Sequence, residues 1–474
     1  MRLRAGAVVS LLVASLAAEA VADAGESCAW HNAATREHDA REFVPVLPTA
    51  DVMAELEQVG AAFGATLYSG VYEGIHGDAS YLIQVPANWN GILVMHAHGF
   101  RGAGAELVVD PSPLYPASLS QGYAWAASSY SANYYDVRAG VEDTNKLALL
   151  FESLTQQAHG SPQKYYITGL SMGGHVAGAA VEKETRWTAK NYVEYAAALP
   201  LCGVMGDVAE FDWINDYLLA AQHVVDPAAS DWPMANYGAR LPALLDGLFD
   251  VWSLDPTSFT PWQENAEDGQ RFREIAMRLT GGQRPIFLEG FRTAVWQRAL
   301  FGSGGGDGTI DGIVARNVLD NRRTLFRWRD GWLDREEWHF NATIRRVTAE
   351  PRANPIRKDG VRWIPRIAGD FDVPVLTLHT LGDLFVPFVH EQLYRQHAEA
   401  KGNGDWLVQR AIRAAGHCEF AADELVGAFF ELAAWEQYGI KPQGDEVVDP
   451  AVIAEPDYGC TFTAEQRAGL PACP

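Results

Sequence analysis

Positive charge is scarce in this 474-residue chain: 37 lysines and arginines stand against 60 aspartates and glutamates, a formal net charge of −23. A chain so acidic is repelled by phosphate backbones and anionic lipid headgroups, which sets aside nucleic acid and acidic membrane surfaces as partners. Long apolar runs are also lacking. The run at residues 5–18, AGAVVSLLVASLAA, falls short of the roughly 20 residues that a membrane-spanning helix needs, and no later stretch is apolar enough. With MRLR before it and Ala22-Asp23-Ala24 after it, it reads as a signal peptide over 1–24, with export to the periplasm or the medium. No cysteine sits where a lipoprotein signal would need one. There are only five: Cys28, Cys202, Cys418, Cys460 and Cys473. In an oxidising compartment an odd number leaves one free thiol or an intermolecular bond. Cys460 and Cys473 bracket a short tail and can close it, although Cys28 competes for either. Internal repeats and low-complexity tracts are absent as well.

What is present is the pattern of a folded chain, 48% hydrophobic and 20% charged, long enough for a large core and more than one region. After an N-terminal arm over 25–61, with a short helix near DVMAELEQVG, strand-like segments appear at ATLYSGVYEG, DASYLIQVPA, GILVMHAHG and YAWAASSYS. A helix is expected from about Val141 to His159, ended by Gly160-Ser161-Pro162. KYYIT and YAAALPLCG add two strands, and PVLTLHT and WLVQRAIRAAG two more, each of the last two followed by a helix. Strands alternating with helices imply an α/β fold with a largely parallel, doubly wound sheet. Residues 204–368 break the rhythm. They hold nine tryptophans, and DWINDYLLAAQHVV, LPALLDGLFDVW, GQRFREIAMRL and ARNVLDNRRTLFRWRDGWL read as helices. The interval is expected to be a mainly helical cap, its tryptophans mostly its own core, a few of them available to line a pocket. Core resumes over 369–440, and 441–474 is a tail.

Three positions carry chemistry. In Gly169-Leu170-Ser171-Met172-Gly173 a strand gives way to a helix, and glycines two residues either side of the serine relieve a sharp turn. The helix N-terminus then favours negative charge developing beside Ser171. A serine hydroxyl needs a base and an orienting acid to act as a nucleophile. Asp383 stands in a tight loop just past PVLTLHT, and His417 at the end of the next strand. Taken singly, Ser171 caps a helix, Asp383 fills a turn and His417 sits in a core. Together they follow three strands in the order serine, acid, histidine. Asp207, after YAAALPLCG, is the alternative acid.

With that order the chain resembles the serine α/β-hydrolases of the esterase and lipase type, over roughly 62–203 and 370–438. The resemblance implies a Ser171–His417–Asp383 triad, an acyl-enzyme, no cofactor, and an oxyanion hole from backbone N–H groups. Met172 supplies one N–H. The other is expected from His98-Gly99-Phe100-Arg101-Gly102, with Phe100 preferred and Gly99 next; the three-glycine version of this loop is not present. Cys418 follows the base and Cys202 ends the strand into the cap, so a disulfide between them is expected to tie the histidine loop to the cap root; a buried free thiol is the plain alternative. Tannase-like esterases also tie a cysteine after the histidine, but to a neighbour of the serine, where this chain has Leu170. The expected function is hydrolysis of hydrophobic or aromatic carboxylic esters, small or oligomeric, possession of a large cap arguing against an open polymer site. The rivals are a secreted serine peptidase, for which no acidic anchor for a peptide amine is visible, and an inactive hydrolase-like binding protein. Two other readings fit less well. His96-Ala97-His98 resembles a pair of metal ligands without the usual following residues. A dinucleotide site at 169–174 fails because Ser171 replaces the second glycine of G-x-G-x-x-G.

Overall fold

The computed structural model describes residues 42–474; the expected signal peptide, the part of the arm before residue 42, and Cys28 lie outside them. In chain order the elements are β1 (Val44–Val46), α1 (Ala50–Ala61), β2 (Thr66–Glu73), β3 (Asp78–Val85), β4 (Ile92–Ala97), β5 (Glu106–Val108), α2 (Tyr115–Ser120), β6 (Ala124–Ser128), α3 (Val137–Leu154), β7 (Lys164–Leu170), α4 (Met172–Val181), α5 (Lys183–Thr188) and β8 (Tyr195–Leu201). The interval between the two parts of the core holds α6 (Ala209–Val225), α7 (Tyr237–Leu248), β9 (Phe249–Val251), β10 (Gln263–Glu264), α8 (Asp268–Leu279), α9 (Phe287–Phe291), α10 (Ala294–Gly302) and α11 (Arg335–Thr343). Then follow β11 (Val375–Thr380), α12 (Val389–Ala400), β12 (Leu407–Ile412), α13 (Ala422–Tyr438) and α14 (Pro450–Ile453).

Eight strands form one sheet in the order β12-β11-β8-β7-β4-β6-β3-β2. From β12 to β6 every pair is parallel; β3 runs antiparallel to β6, and β2 antiparallel to β3. The central strands bury both faces, as a sheet covered by helices on both sides must. In β4, Leu93, Met95 and Ala97 join the core beneath α3, α4 and the cap, while Ile92 and Val94 join the one beneath α1, α2 and α13. That alternation is the two-residue period of a strand. Consequently the C-terminal ends of β4, β6, β7, β8, β11 and β12 line up along one edge, and the loops leaving them share one place.

The helix expected over ARNVLDNRRTLFRWRDGWL does not form; residues 315–333 are turns and irregular chain. Asparagine side chains give that backbone other partners. Asn317 accepts from Leu319 N–H and donates to the Thr348 carbonyl, and Asn321 accepts from Val347 N–H and donates to the Arg345 carbonyl. Such side-chain bonds compete with the helical ladder, and here they win. The cap is therefore helical in its first two thirds and irregular later. The last strand also stops at Ile412, short of the expected Gly416, because Arg413 N–H turns to Thr463 Oγ1 in the tail. Among the described residues no helix is long and apolar enough to cross a membrane.

Candidate active site

The turn between β7 and α4 is strained where the sequence places its serine. Ser171 has φ 58° and ψ −121°, a region disfavoured for a residue with a Cβ. The neighbours make this possible. A Cβ on Gly169 would stand 2.0 Å from the Gly173 carbonyl oxygen, and one on Gly173 would stand 2.1 Å from that of Ala97. The glycines thus let the turn close on itself and let α4 press against the end of β4. Ser171 makes no side-chain capping bond to α4, which removes the capping role, and its Oγ has no hydrogen-bond partner among the described residues. The residue is buried, 7% exposed.

His417 and Asp383 meet at the ends of β12 and β11. His417 Nδ1–H donates to Asp383 Oδ2 at 2.6 Å, while Asp383 Oδ1 accepts from Phe385 N–H and Val386 N–H, both at 2.9 Å. Three donors on one buried carboxylate fix its plane and leave His417 Nε2 as the free edge of the ring. That nitrogen lies 3.4 Å from Cys418 Sγ. Cys418 is bonded to Cys202, and Leu201, just before Cys202, accepts the Ser171 backbone N–H at 2.9 Å. The disulfide therefore stands between the serine turn and the histidine loop. The Ser171–His417 hydrogen bond is the one link not formed here; such links often close only when substrate is bound.

Asp207, the alternative acid, is used elsewhere: its carboxylate accepts from Val208 N–H and Ile367 N–H. Gly99 packs against Ser171, where a Cβ would stand 3.3 Å from both Ser171 Cβ and the Leu170 carbonyl oxygen. Phe100 N–H and Met172 N–H, the two expected oxyanion donors, make no hydrogen bond among the described residues. His96 and His98 do not converge as ligands. His98 has its ring nitrogens 2.7 and 3.0 Å from the Gly99 and Ser129 carbonyls, His96 faces Thr168, and burial holds both near a pKa of about 3. The expected tail bond between Cys460 and Cys473 is formed.

Residues that the sequence did not single out surround the base. Trp296, from the cap, and Phe385 stack on each other at 5.5 Å, and each meets the His417 ring edge-on, at 5.6 and 5.7 Å. Of the cap tryptophans, Trp213, Trp262, Trp296, Trp328 and Trp363 are buried, whereas Trp332 and Trp338 are exposed. Trp296 alone among the nine has a ring contact with His417. Glu210, in the first turn of α6, accepts from His390 Nε2–H at 2.8 Å, and His390 Nδ1 accepts from Gly206 N–H. Burial, and next the Asp383 charge, hold the Glu210 carboxyl well above the usual carboxylate range. No local motif marks these contacts; they join segments far apart in the chain.

Compared with proteins of known character, the chain is 25% identical over 394 residues to an o-phthalyl amidase of Xanthobacter agilis, an alignment spanning 73% of this chain and 82% of that protein. Solved structures with partial likeness include feruloyl esterase B of Aspergillus oryzae, with 13% identity, 82% of this chain and 91% of that chain covered, and a TM-score of 0.41. Another is a Pyrococcus horikoshii acylaminoacyl peptidase, with 12% identity, 81% and 43% covered, and a TM-score of 0.38. The chain thus spans less than half the length of that peptidase. No protein-family profile matches the chain. The fold rests on the molecule's own architecture, a mostly parallel sheet with a strained serine turn at the C-terminal end of β7. That architecture is the α/β-hydrolase fold.

Proposed function

We propose that this hydrolase is an exported serine esterase that cleaves aromatic or hydrophobic carboxylic esters through an acyl-enzyme. The observation that carries the reading is the buried Asp383–His417 pair, 2.6 Å apart, at the sheet edge that presents Ser171 on its strained turn. In this reading Ser171 Oγ attacks the ester carbonyl and His417 Nε2 takes its proton. Asp383 keeps the proton of the imidazole on Nδ1 and stabilises the imidazolium. Phe100 and Met172 N–H groups receive the oxyanion, where one such donor contributes about 3–4 kcal/mol. His417 then protonates the leaving alcohol, and water frees the acyl group by the same path. The Trp296–Phe385 stack beside His417 supports a flat, apolar group next to the scissile bond. Two disulfides support export into an oxidising compartment.

The likeness to an o-phthalyl amidase favours a second reading, in which the bond cleaved is an amide and His417 protonates an amine. Both readings share Ser171. Intact-mass measurement after fluorophosphonate treatment, with Ser171→Ala alongside and matched aromatic esters and amides assayed on the same samples, separates them. The expected outcome is one adduct on the wild type, none on the variant, and faster turnover of esters. Preference for amides would move the assignment to an amidase. Absence of an adduct on folded, disulfide-intact protein would refute the nucleophile.

A further inference from the structure

Behind the acid lies a second buried histidine that the mechanism above does not use. His379, on β11 four residues before Asp383, is 0% exposed. Its Nδ1 is 3.3 Å from Glu391 Oε1, on the first turn of α12, and its Nε2 is 2.8 Å from the Val386 carbonyl oxygen. Nε2 also lies 3.8 Å from Asp383 Oδ2, the oxygen that receives His417. The contacts constrain where the protons are. A neutral imidazole has one N–H, and an ionised carboxylate and a backbone carbonyl only accept. With a single N–H only one of the two short contacts would be a hydrogen bond, as at neutral His98; what sets His379 apart is a carboxylate beside each ring nitrogen, Glu391 at 3.3 Å and Asp383 at 3.8 Å.

The shared proton has one other place to go, Glu391, and its surroundings argue against that. Glu391 Oε2 already accepts from Thr377 Oγ1–H and from Gln409 Nε2–H, each at 2.5 Å, and donors on a carboxylate favour its charged form. His98 provides an internal contrast. It too has carbonyls on both sides, but no carboxylate, and burial followed by the Arg101 charge brings it to about 3. At His379 burial also opposes the charge, but the Glu391 hydrogen bond and charge, then Asp383, outweigh it and hold the imidazole above its ordinary value.

We propose that His379 is a positioning residue for the acid: an imidazolium held between Glu391 and Asp383, which sets a positive charge against the Asp383 carboxylate and pins, through Val386, the loop that presents that carboxylate to His417. The inference rests on reading Ser171, His417 and Asp383 as the triad. The other ionisable groups around it are Glu210 and His390 at the cap root and Arg284, whose Nε–H donates to the Leu381 carbonyl. Arg284 is a second cation near Asp383, so His379 acts together with it rather than alone. Its charge stays on one side of the acid while the proton moves on the other, and Asp383 remains a carboxylate through the cycle.

The test uses the full, disulfide-intact protein. In 15N-histidine-labelled protein, with His379 assigned by its absence from His379→Gln, both ring nitrogens are expected to show protonated shifts at pH 7. A neutral tautomer at that pH would overturn the proposal. The second arm is the rate of fluorophosphonate labelling against pH for His379→Gln/Glu391→Gln, which removes both buried charges together and so spares the fold a lone carboxylate. His379 stands between the two carboxylates and is the nearer of the two lost charges to Asp383, so its loss outweighs that of Glu391: the acid limb should move to higher pH by about half a unit and the plateau rate should fall severalfold. An unchanged profile in a folded variant would refute the role, since a purely structural residue would not move it. If wild-type protein takes no label, the triad reading is what fails, and the nitrogen shifts still report on His379.

Discussion

At the scale of single residues, Asp383 is the point where position and protonation meet. Its Oδ1 is held by two backbone N–H groups and its Oδ2 by His417. Asp383→Asn keeps an oxygen for Phe385 and Val386 but turns an amide N–H toward His417 Nδ1. The imidazole must then carry its proton on Nε2, the nitrogen that should accept from serine. The expected result is a melting temperature close to that of the wild type and a labelling rate lower by about 10⁴-fold. A variant that labels at nearly the wild-type rate would remove Asp383 from the acid's role. Ser171, Asp383 and His417 could be singled out because each follows a strand and their chain order is that of a known constellation, and the structure pairs the last two. His379 was not, although it stands in the same PVLTLHT segment, because its meaning lies in Glu391, twelve residues on and on another element.

At the scale of elements, the cap helix α6 carries a cost that depends on pH. Asp216 is 2% exposed, accepts from Thr324 Oγ1–H at 2.7 Å, and is pushed by burial from 3.8 to about 7. The folded state therefore holds a proton that the unfolded state gives up between about pH 4 and pH 7. Here the folded value lies above the unfolded one for an acid, so stability is highest below the unfolded value and declines as pH rises to the folded one. At about 1.4 kcal/mol per unit the decline is roughly 4 kcal/mol at most. Asp216→Asn should flatten that slope, so that thermal melts at pH 5 and pH 8 lie closer together and the variant is the more stable protein at pH 8. A slope identical to the wild type's would place the titration elsewhere. The irregular stretch at 315–333 belongs to this scale too. Its apolar spacing resembles a helix, but Asn317 and Asn321 find backbone partners near residue 347, which periodicity does not register.

At the scale of the molecule, the Cys202–Cys418 bond joins the end of β8 to the loop after β12, across 216 residues that include the whole cap. Closing so long a loop restrains the unfolded chain by up to about 5 kcal/mol on an entropic account. The same bond places Cys418 against His417 Nε2. Replacing both cysteines by alanine should lower the melting temperature and slow labelling of Ser171 as well, because the base's loop loses its tie to the strand beside the nucleophile. Lower stability with an unaltered labelling rate would confine the bond to folding. The tail is fastened separately, by Cys460–Cys473 and by Arg467 donating to Glu424 on α13.

The strands, the helices between them and the chain order of serine, acid and histidine were written locally, in runs of β-branched and aromatic residues and in glycine-flanked turns, so sequence alone determined the fold class and the residues to examine. Hydrophobic patterning works at short range, and over that range it sufficed. The two disulfides, the aromatic stack around His417, the carboxylates beside His379 and the shape of the late cap depend on side chains brought together from distant segments. Only the assembled sheet, which gathers the ends of six parallel strands along one edge, decided them.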